Sequence, residues 1–273
     1  MIICRSAAEL ERMREVGRLV GEVLTALSAA VAPGVSTADL DALAEKRIAQ
    51  AGATPAFKGY HGYPGTICTS INEEVIHGIP SGRRLLREGD IISIDVGASL
   101  DGYFGDSAVT LPVGQVSEQA AKLLRVTEEA LYKAIERARP GSRISDIGHA
   151  VQQHVEAFGC SVVREFVGHG IGQRMHEEPQ VPNYGEPGRG PRLTEGMVLA
   201  IEPMVNAGKP AVKVLADGWT AVTRDGSLSA HFEHTVAVTM GEPWILTARK
   251  APASGARRDV AERQRAGIGP YEC

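Results

Sequence analysis

The chain has 273 residues, 43% of them hydrophobic, enough to build a sizeable core as one domain or as two closely packed halves. A net charge of −4 leaves no electrostatic footprint for DNA or an anionic membrane. No apolar run approaches the roughly 20 residues of a membrane span, and the opening MIICRSAAELERMREVG lacks the basic start and apolar core of a secretory signal, so a cytoplasmic location is expected.

Ser6 and Glu9 spell a capping box, after which Leu10, Met13, Val16, Val20, Val23, Leu24 and Leu27 recur at helical spacing. Pro33-Gly34 ends that helix. Ser36 opens a second, with Asp39 at its third position and Leu40, Leu43, Ala44 and Ile48 as its apolar stripe up to Gly52. GYHGYPG, the β-prone ICTSI and INEEVIHGIPSG follow, and their density of Gly and Pro predicts loops. DIISIDVGASLDGYFGDSAVTL then reads as a hairpin, with apolar runs at 91–96 and 108–111 interrupted by Ser99, Asp101 and Gly102. Strand alternation places Ser93, Asp95 and Gly97 on one face. Positions paired or diagonal across a hairpin approach within about 4.5–8 Å at Cβ, so Asp95 and Asp106 can sit side by side. Two like charges that close call for something positive between them.

Ser117 caps a third helix carrying Leu123, Leu124, Val126, Ala130, Leu131, Ala134 and Ile135, which breaks at Pro140-Gly141, and a fourth helix follows. Aligning Pro33-Gly34 with Pro140-Gly141 superposes Asp39 on Asp146, Leu40 on Ile147, Ile48 on Val155 and Gly52 on Gly159. This recurring order predicts two pseudo-equivalent halves, about 6–112 and 116–246, with a ligand site where they meet. The second half continues through SVVREFVGHGIG, a loop over 179–191, the strand-like MVLAIEP, a segment around Trp219, and HFEHTVAVTM. The catalytic domain is expected over 1–248. Residues 249–273, rich in Ala, Gly and Arg, are expected to form a flexible tail, and Asp259, Glu262 and Glu272 dilute its positive charge.

The four cysteines, at 4, 68, 160 and 273, lack C-x-x-C spacing, which argues against a disulfide framework and a structural zinc module. His169, Glu202 and Glu233 stand, like Asp95 and Asp106, in strand-flanking contexts where a charge is costly to desolvate unless paired. No nearby Lys or Arg recurs with the four acids. Four carboxylates and an imidazole match the donor set of a two-metal hydrolase, in which ions about 3.5–4 Å apart share a nucleophile. Any one of these acids taken alone is more often a solvent-facing strand residue, and spacing alone does not bring them together. His149 and His154, five apart on the fourth helix, have the wrong spacing for an HExxH pair and are read as surface residues. GHGIGQ lacks the third glycine of a dinucleotide fingerprint.

GYHGYPGTICTSINEEVIHGIP, DVGASLDGYFGDSAVT, EFVGHGIGQRMHEEP, GMVLAIEP and SAHFEHTV closely resemble, in order and separation, the successive motifs of the type I methionine aminopeptidases. The resemblance runs from about Ser6 to Leu246 and is to the short bacterial form, with neither a zinc-binding extension nor the long type II insertion. It implies an α+β pita-bread fold, a curved antiparallel sheet with outer helices and internal pseudo-twofold symmetry. It also implies metal-dependent removal of the initiator methionine from nascent chains whose second residue is small, by a metal-bridging hydroxide attacking the first peptide bond.

The resemblance assigns Asp95, Asp106, His169, Glu202 and Glu233 as ligands of two divalent ions (Co, Mn, Fe, Zn or Ni), with Asp106 and Glu233 bridging. His176 matches the histidine that stabilises the tetrahedral intermediate, and His77 the one near the leaving group. Glu202 doubles as proton shuttle. Tyr60, His61, Tyr63, Cys68 and Trp219 match the methionine pocket, whose aromatic edges and thiol suit a thioether. Phe57 and Met175 fall at its margin, and His231 stands where the family carries glutamine. The implied partners are nascent polypeptide N-termini, with transient ribosome association, and the expected state is a monomer. Two rivals remain at this point: a prolidase or aminopeptidase P type enzyme, and a non-catalytic binding module on the same fold.

Overall fold

The structure, a computed structural model, describes residues 1–249. The expected tail, 249–273, lies outside the described residues apart from Arg249. The first half opens with helix α1 (Ala7–Ala30) and helix α2 (Thr37–Gln50). Each starts at a reciprocal capping box, Ser6 with Glu9 and Ser36 with Asp39. Caps of this kind are worth about 1 kcal/mol each. Strands β1 (Thr54–Pro55), β2 (Cys68–Ile71), β3 (Glu74–Ile76), β4 (Ile91–Leu100) and β5 (Tyr103–Pro112) follow.

The second half repeats the order with helices α3 (Glu118–Ile135) and α4 (Ile144–Ala157), then strands β6 (Ser161–Val162), β7 (Gly168–Gly170), β8 (Glu177–Val181) and β9 (Val198–Ile201). Short strands complete it: β10 (Met204–Asn206), β11 (Val212–Val214), β12 (Ala221–Thr223), β13 (Ser229–His231), β14 (His234–Ala237) and β15 (Trp244–Ile245). Every strand pairing is antiparallel. β4 carries β5 along one edge and β1 and β2 along the other, while β15-β14-β9-β7-β8 forms the sheet of the second half. The helices pack on these sheets, α1 across β4 and β5 and α3 against β5, β9, β10 and β13. Mixed helices and antiparallel sheets agree with the expected α+β class.

The hairpin is longer than its apolar runs. Backbone pairing continues to Leu100↔Tyr103, so Ser99 is a strand residue and only Asp101 and Gly102, both at positive φ, turn the chain. Two positive-φ residues are what a tight two-residue hairpin requires. The loop expected over 179–191 also begins late. Pro179 lies within β8, an edge strand, at a register shift in its pairing with β7 where the lost N–H is tolerated. His149 and His154 are half-buried rather than exposed: one meets the Gly185 carbonyl and the other Glu129 and Phe158.

A polar seam joins the halves. The Thr235 hydroxyl accepts from the Asp106 N–H at 3.1 Å and donates to the Asp106 carbonyl at 2.8 Å. The Glu233 N–H donates to Ala108 O at 3.0 Å, and the Ser107 hydroxyl donates to Glu233 O at 2.6 Å. This seam sets β5 against the 231–235 stretch, so Asp106 and Glu233, 127 positions apart, arrive together.

Candidate active site

Register accounts for the first pair of acids. Asp95 pairs with Ala108 and Asp106 with Gly97, so the two carboxylates are diagonal neighbours on one face, and Cys68 lies beside Asp95 on the other flank. Gly97, opposite Asp106, lets the Phe57 ring pack onto that face, since a Cβ there would strike the ring. Asp106, His169 and Glu233, all buried, place one donor atom each within 4.8 Å of one another. His169 Nε2 lies 3.9 Å from Asp106 Oδ2 and 3.6 Å from Glu202 Oε1. All five predicted metal-ligating residues therefore meet in one buried cluster on β4, β5, β7, the end of β9 and the turn between β13 and β14.

The His169 tautomer follows from its neighbour. Nδ1 lies 2.9 Å from the Gly170 carbonyl, which can only accept, so Nδ1 carries the proton and Nε2 turns its lone pair to the carboxylates. Burial lowers its pKa to about 4, helped by His176. Burial also pushes every acid up: Asp95 to about 7, and Asp106, Glu202 and Glu233 well above the usual carboxylate range. Mutual repulsion adds to burial at Asp106, Glu202 and Glu233. Among the described residues, the cluster's ion-pair contacts are with histidines.

These residues fit a divalent metal. Among the described residues, Asp95 Oδ1, Asp106 Oδ1 and Glu233 Oε1 are buried without a hydrogen-bond partner, and a native fold rarely leaves such atoms unmatched. Carboxylate oxygens with one imidazole form a hard-to-borderline donor set.

Aromatic groups and further histidines flank the cluster. The His176 ring lies against His169 with centroids 4.2 Å apart and planes tilted by 57°, and its Nδ1 meets the Tyr60 hydroxyl at 2.8 Å. His77, at positive φ, presents its ring to Phe166 and Trp219, at 5.8 and 6.4 Å. Trp219 in turn meets Tyr63 edge-on at 5.1 Å. Tyr63 and Cys68 are buried, Trp219 is half-buried, and Tyr60 and His61 are exposed beside His176. Burial pushes the Cys68 thiol up, with Asp95 adding to it, so it remains a neutral apolar wall.

Two further residues complete the site: the resemblance singles out His231, which stands where the family carries glutamine, and nothing in the sequence singles out Phe166. His231 is buried, and its unpartnered Nε2 lies 3.8 Å from Glu202 Oε2. Phe166 backs His77. Neither has a periodic or capping signature that would single it out.

The chain matches metallopeptidase family M24 over residues 11–240. It is 59% identical to the methionine aminopeptidase of Clostridium acetobutylicum over 247 residues, covering 90% of this chain and 99% of that protein. Identity and coverage are the same with methionine aminopeptidase 1 of Bacillus subtilis. The crystal structure of a methionine aminopeptidase from Thermotoga maritima superposes with a TM-score of 0.90 at 46% identity, covering 92% of this chain and all of that one. The chain belongs to metallopeptidase family M24, on its methionine aminopeptidase branch. As an M24 enzyme it is a metal-dependent hydrolase with the pita-bread fold, and the buried acid cluster sits where its two halves meet. Among the described residues, no helix is long and apolar enough to cross a membrane.

Proposed function

We propose that this M24 enzyme removes the N-terminal methionine from nascent polypeptides whose second residue is small, acting in the cytoplasm as a monomer, with transient ribosome association. The observation that carries this reading is the convergence of two buried and two partly buried carboxylates and a lone-pair-bearing imidazole, without a side-chain cation among the described residues, beside the aromatic edges of Tyr63 and Trp219 and the Cys68 thiol. The catalytic unit is residues 1–248, built from repeats at about 6–112 and 116–246.

Asp95, Asp106, His169, Glu202 and Glu233 would hold two divalent ions. Bound there, such ions acidify water to a nucleophile at neutral pH and polarise the scissile carbonyl. The remaining work falls to the chain's own residues. His176 is neutral at pH 7, its pKa lowered by burial and by nearby His61. With the Tyr60 hydroxyl donating to Nδ1, Nε2 carries the proton and donates to the scissile carbonyl oxygen, where negative charge develops. Burial holds His77 neutral as well, its pKa lowered to about 4, and it faces the departing nitrogen. Glu202, raised by burial and by Asp106 and Asp95, is suited to take a proton and return it to the leaving amine. Tyr60, His61, Tyr63, Cys68 and Trp219 receive the methionine side chain, whose polarisable sulfur favours aromatic edges.

Peptide turnover tests this directly. Met-Ala-Ser is expected to lose methionine, while Met-Leu-Ser and Leu-Ala-Ser remain intact, and D106A and E233A abolish release. Equal turnover of Leu-Ala-Ser, or preferred cleavage beside proline, would overturn the substrate assignment.

A further inference from the structure

The loop that ends in His176 is tied to a residue at the other end of the sequence. Glu177, next to His176, is the knot: its Oε1 accepts from the backbone N–H groups of Gln173 and Arg174 at 2.9 and 3.1 Å, folding the loop back on itself. Among the described residues, the remaining side-chain partner of its carboxylate is Arg5, whose Nη2 donates to Oε1 at 2.6 Å and also to Oε2. Both side chains are almost fully buried, 3% exposed for Arg5 and 5% for Glu177.

Two glycines make room for this pairing. A Cβ on Gly172 would overlap the Arg5 guanidinium, so that group lies directly on the loop backbone. The Arg5 N–H donates to Gly196 O at 2.7 Å, and Gly196, at φ +87°, passes so close that a Cβ would meet Arg5 O at 2.6 Å. A second path reinforces the first. Arg5 Nη1 lies 3.7 Å from Glu9 Oε1, which accepts from the Tyr103 hydroxyl, and Gln173 Nε2 reaches that hydroxyl from the loop. At its far end the loop delivers His176 to Tyr60 and His169.

We infer that Arg5 is a positioning residue for His176, and that the segment preceding α1 is in this way part of the catalytic apparatus. The inference rests on the role given to His176 above. Removing the cation of a buried ion pair is strongly destabilising, because it leaves an uncompensated buried charge. Without Arg5, Glu177 is drawn toward water, and that shift loosens the loop beside the reacting atoms. A displacement of about 1 Å at a reacting group can cost roughly 10²-fold in rate.

The test uses the metal-loaded full chain with Met-Ala-Ser, comparing R5M, R5K, H176A and the R5M/H176A double variant. Metal content, melting temperature and amide exchange over 172–177 are measured alongside. R5M is expected to lower kcat by about 10–100-fold with KM within about threefold. R5K should recover part of that loss, since an ammonium restores the charge but not the paired donors. In the H176A background, R5M should cost less than about threefold, because contacts acting through one group are not additive. Gln173 and Arg174 amides should exchange faster in R5M with metal content unchanged. If R5M does not fold, the same cycle is read on R5K.

Wild-type kcat in R5M, or R5M and H176A losses that simply multiply, would overturn the inference. An H176A enzyme at the wild-type rate would instead overturn the role of His176, and unchanged loop exchange in R5M would then dispose of the tether as well.

Discussion

Asp106→Asn should stabilise the metal-free protein and destabilise the metal-loaded one. Asp106 is buried with donor atoms of Glu233 and His169 within 4.8 Å, and its neighbours include Asp95. Two unit charges at that distance repel by about 3.5 kcal/mol at an effective dielectric of about 20. The metal-free cluster avoids part of this by holding protons, so the amide should recover about 1–3 kcal/mol at pH 8, or roughly 2–10 °C in melting temperature for a chain of this size.

The sign reverses with metal. An ion at a hundredfold excess over its Kd stabilises the wild type by about 2.7 kcal/mol, a contribution the amide variant largely forfeits. The metal-free difference should also shrink as pH falls. Carboxylates whose folded pKa is raised contribute stability that is complete below the unfolded value near 4 and is lost as pH rises through the folded value. Calorimetric melting at pH 8 and pH 5, with chelator and with added Co²⁺, measures all four states. A metal-free D106N protein less stable than metal-free wild type at pH 8 would show that the cluster's carboxylates do not repel one another in this way.

Metal uptake should release protons, because Asp95, pushed up to about 7, and its more strongly shifted neighbours hold protons at neutral pH that an ion displaces. Apparent affinity should then rise from pH 6 to pH 8, and titration enthalpies should differ between Hepes and Tris; buffer-independent enthalpies would count against it. Trp219→Ala removes the face that meets Tyr63 and His77, so KM for Met-Ala-Ser should rise by roughly 10–200-fold, with kcat changing less. Thr235→Val strands the buried Asp106 N–H and carbonyl and should cost about 2–4 kcal/mol in urea unfolding. A loss within about 0.5 kcal/mol, the range of neutral surface changes, would show that the seam is not held there.

Much of this architecture can be read from local chemistry. α1 and α2 are legible because Ser6 with Glu9 and Ser36 with Asp39 mark their starts and the apolar stripes keep helical period. The hairpin is legible as well, though its alternation through 97–100 is hidden by small and polar residues that the strands nonetheless pair. β11 and β12 escape because three-residue strands are too short to show a period, and β8 because Pro179 reads as a loop signal until it is seen at a sheet edge. The five cluster residues were each visible, but their meeting depends on the seam between Ala108 and Glu233, which no local pattern announces. Arg5 is the extreme case: a basic residue ahead of a helix cap, whose partner lies 172 positions away.

On the function proposed above, the acid cluster works by holding divalent metal for the removal of N-terminal methionine. Methionine release from Met-Ala-Ser, measured on chelator-stripped protein before and after restoring Co²⁺, Mn²⁺ or Fe²⁺, tests it most directly. The expected result is no release from stripped protein and recovery with ion in the wild type but not in E233A. Release that survives chelation, or none with any of the three ions, would contradict the account.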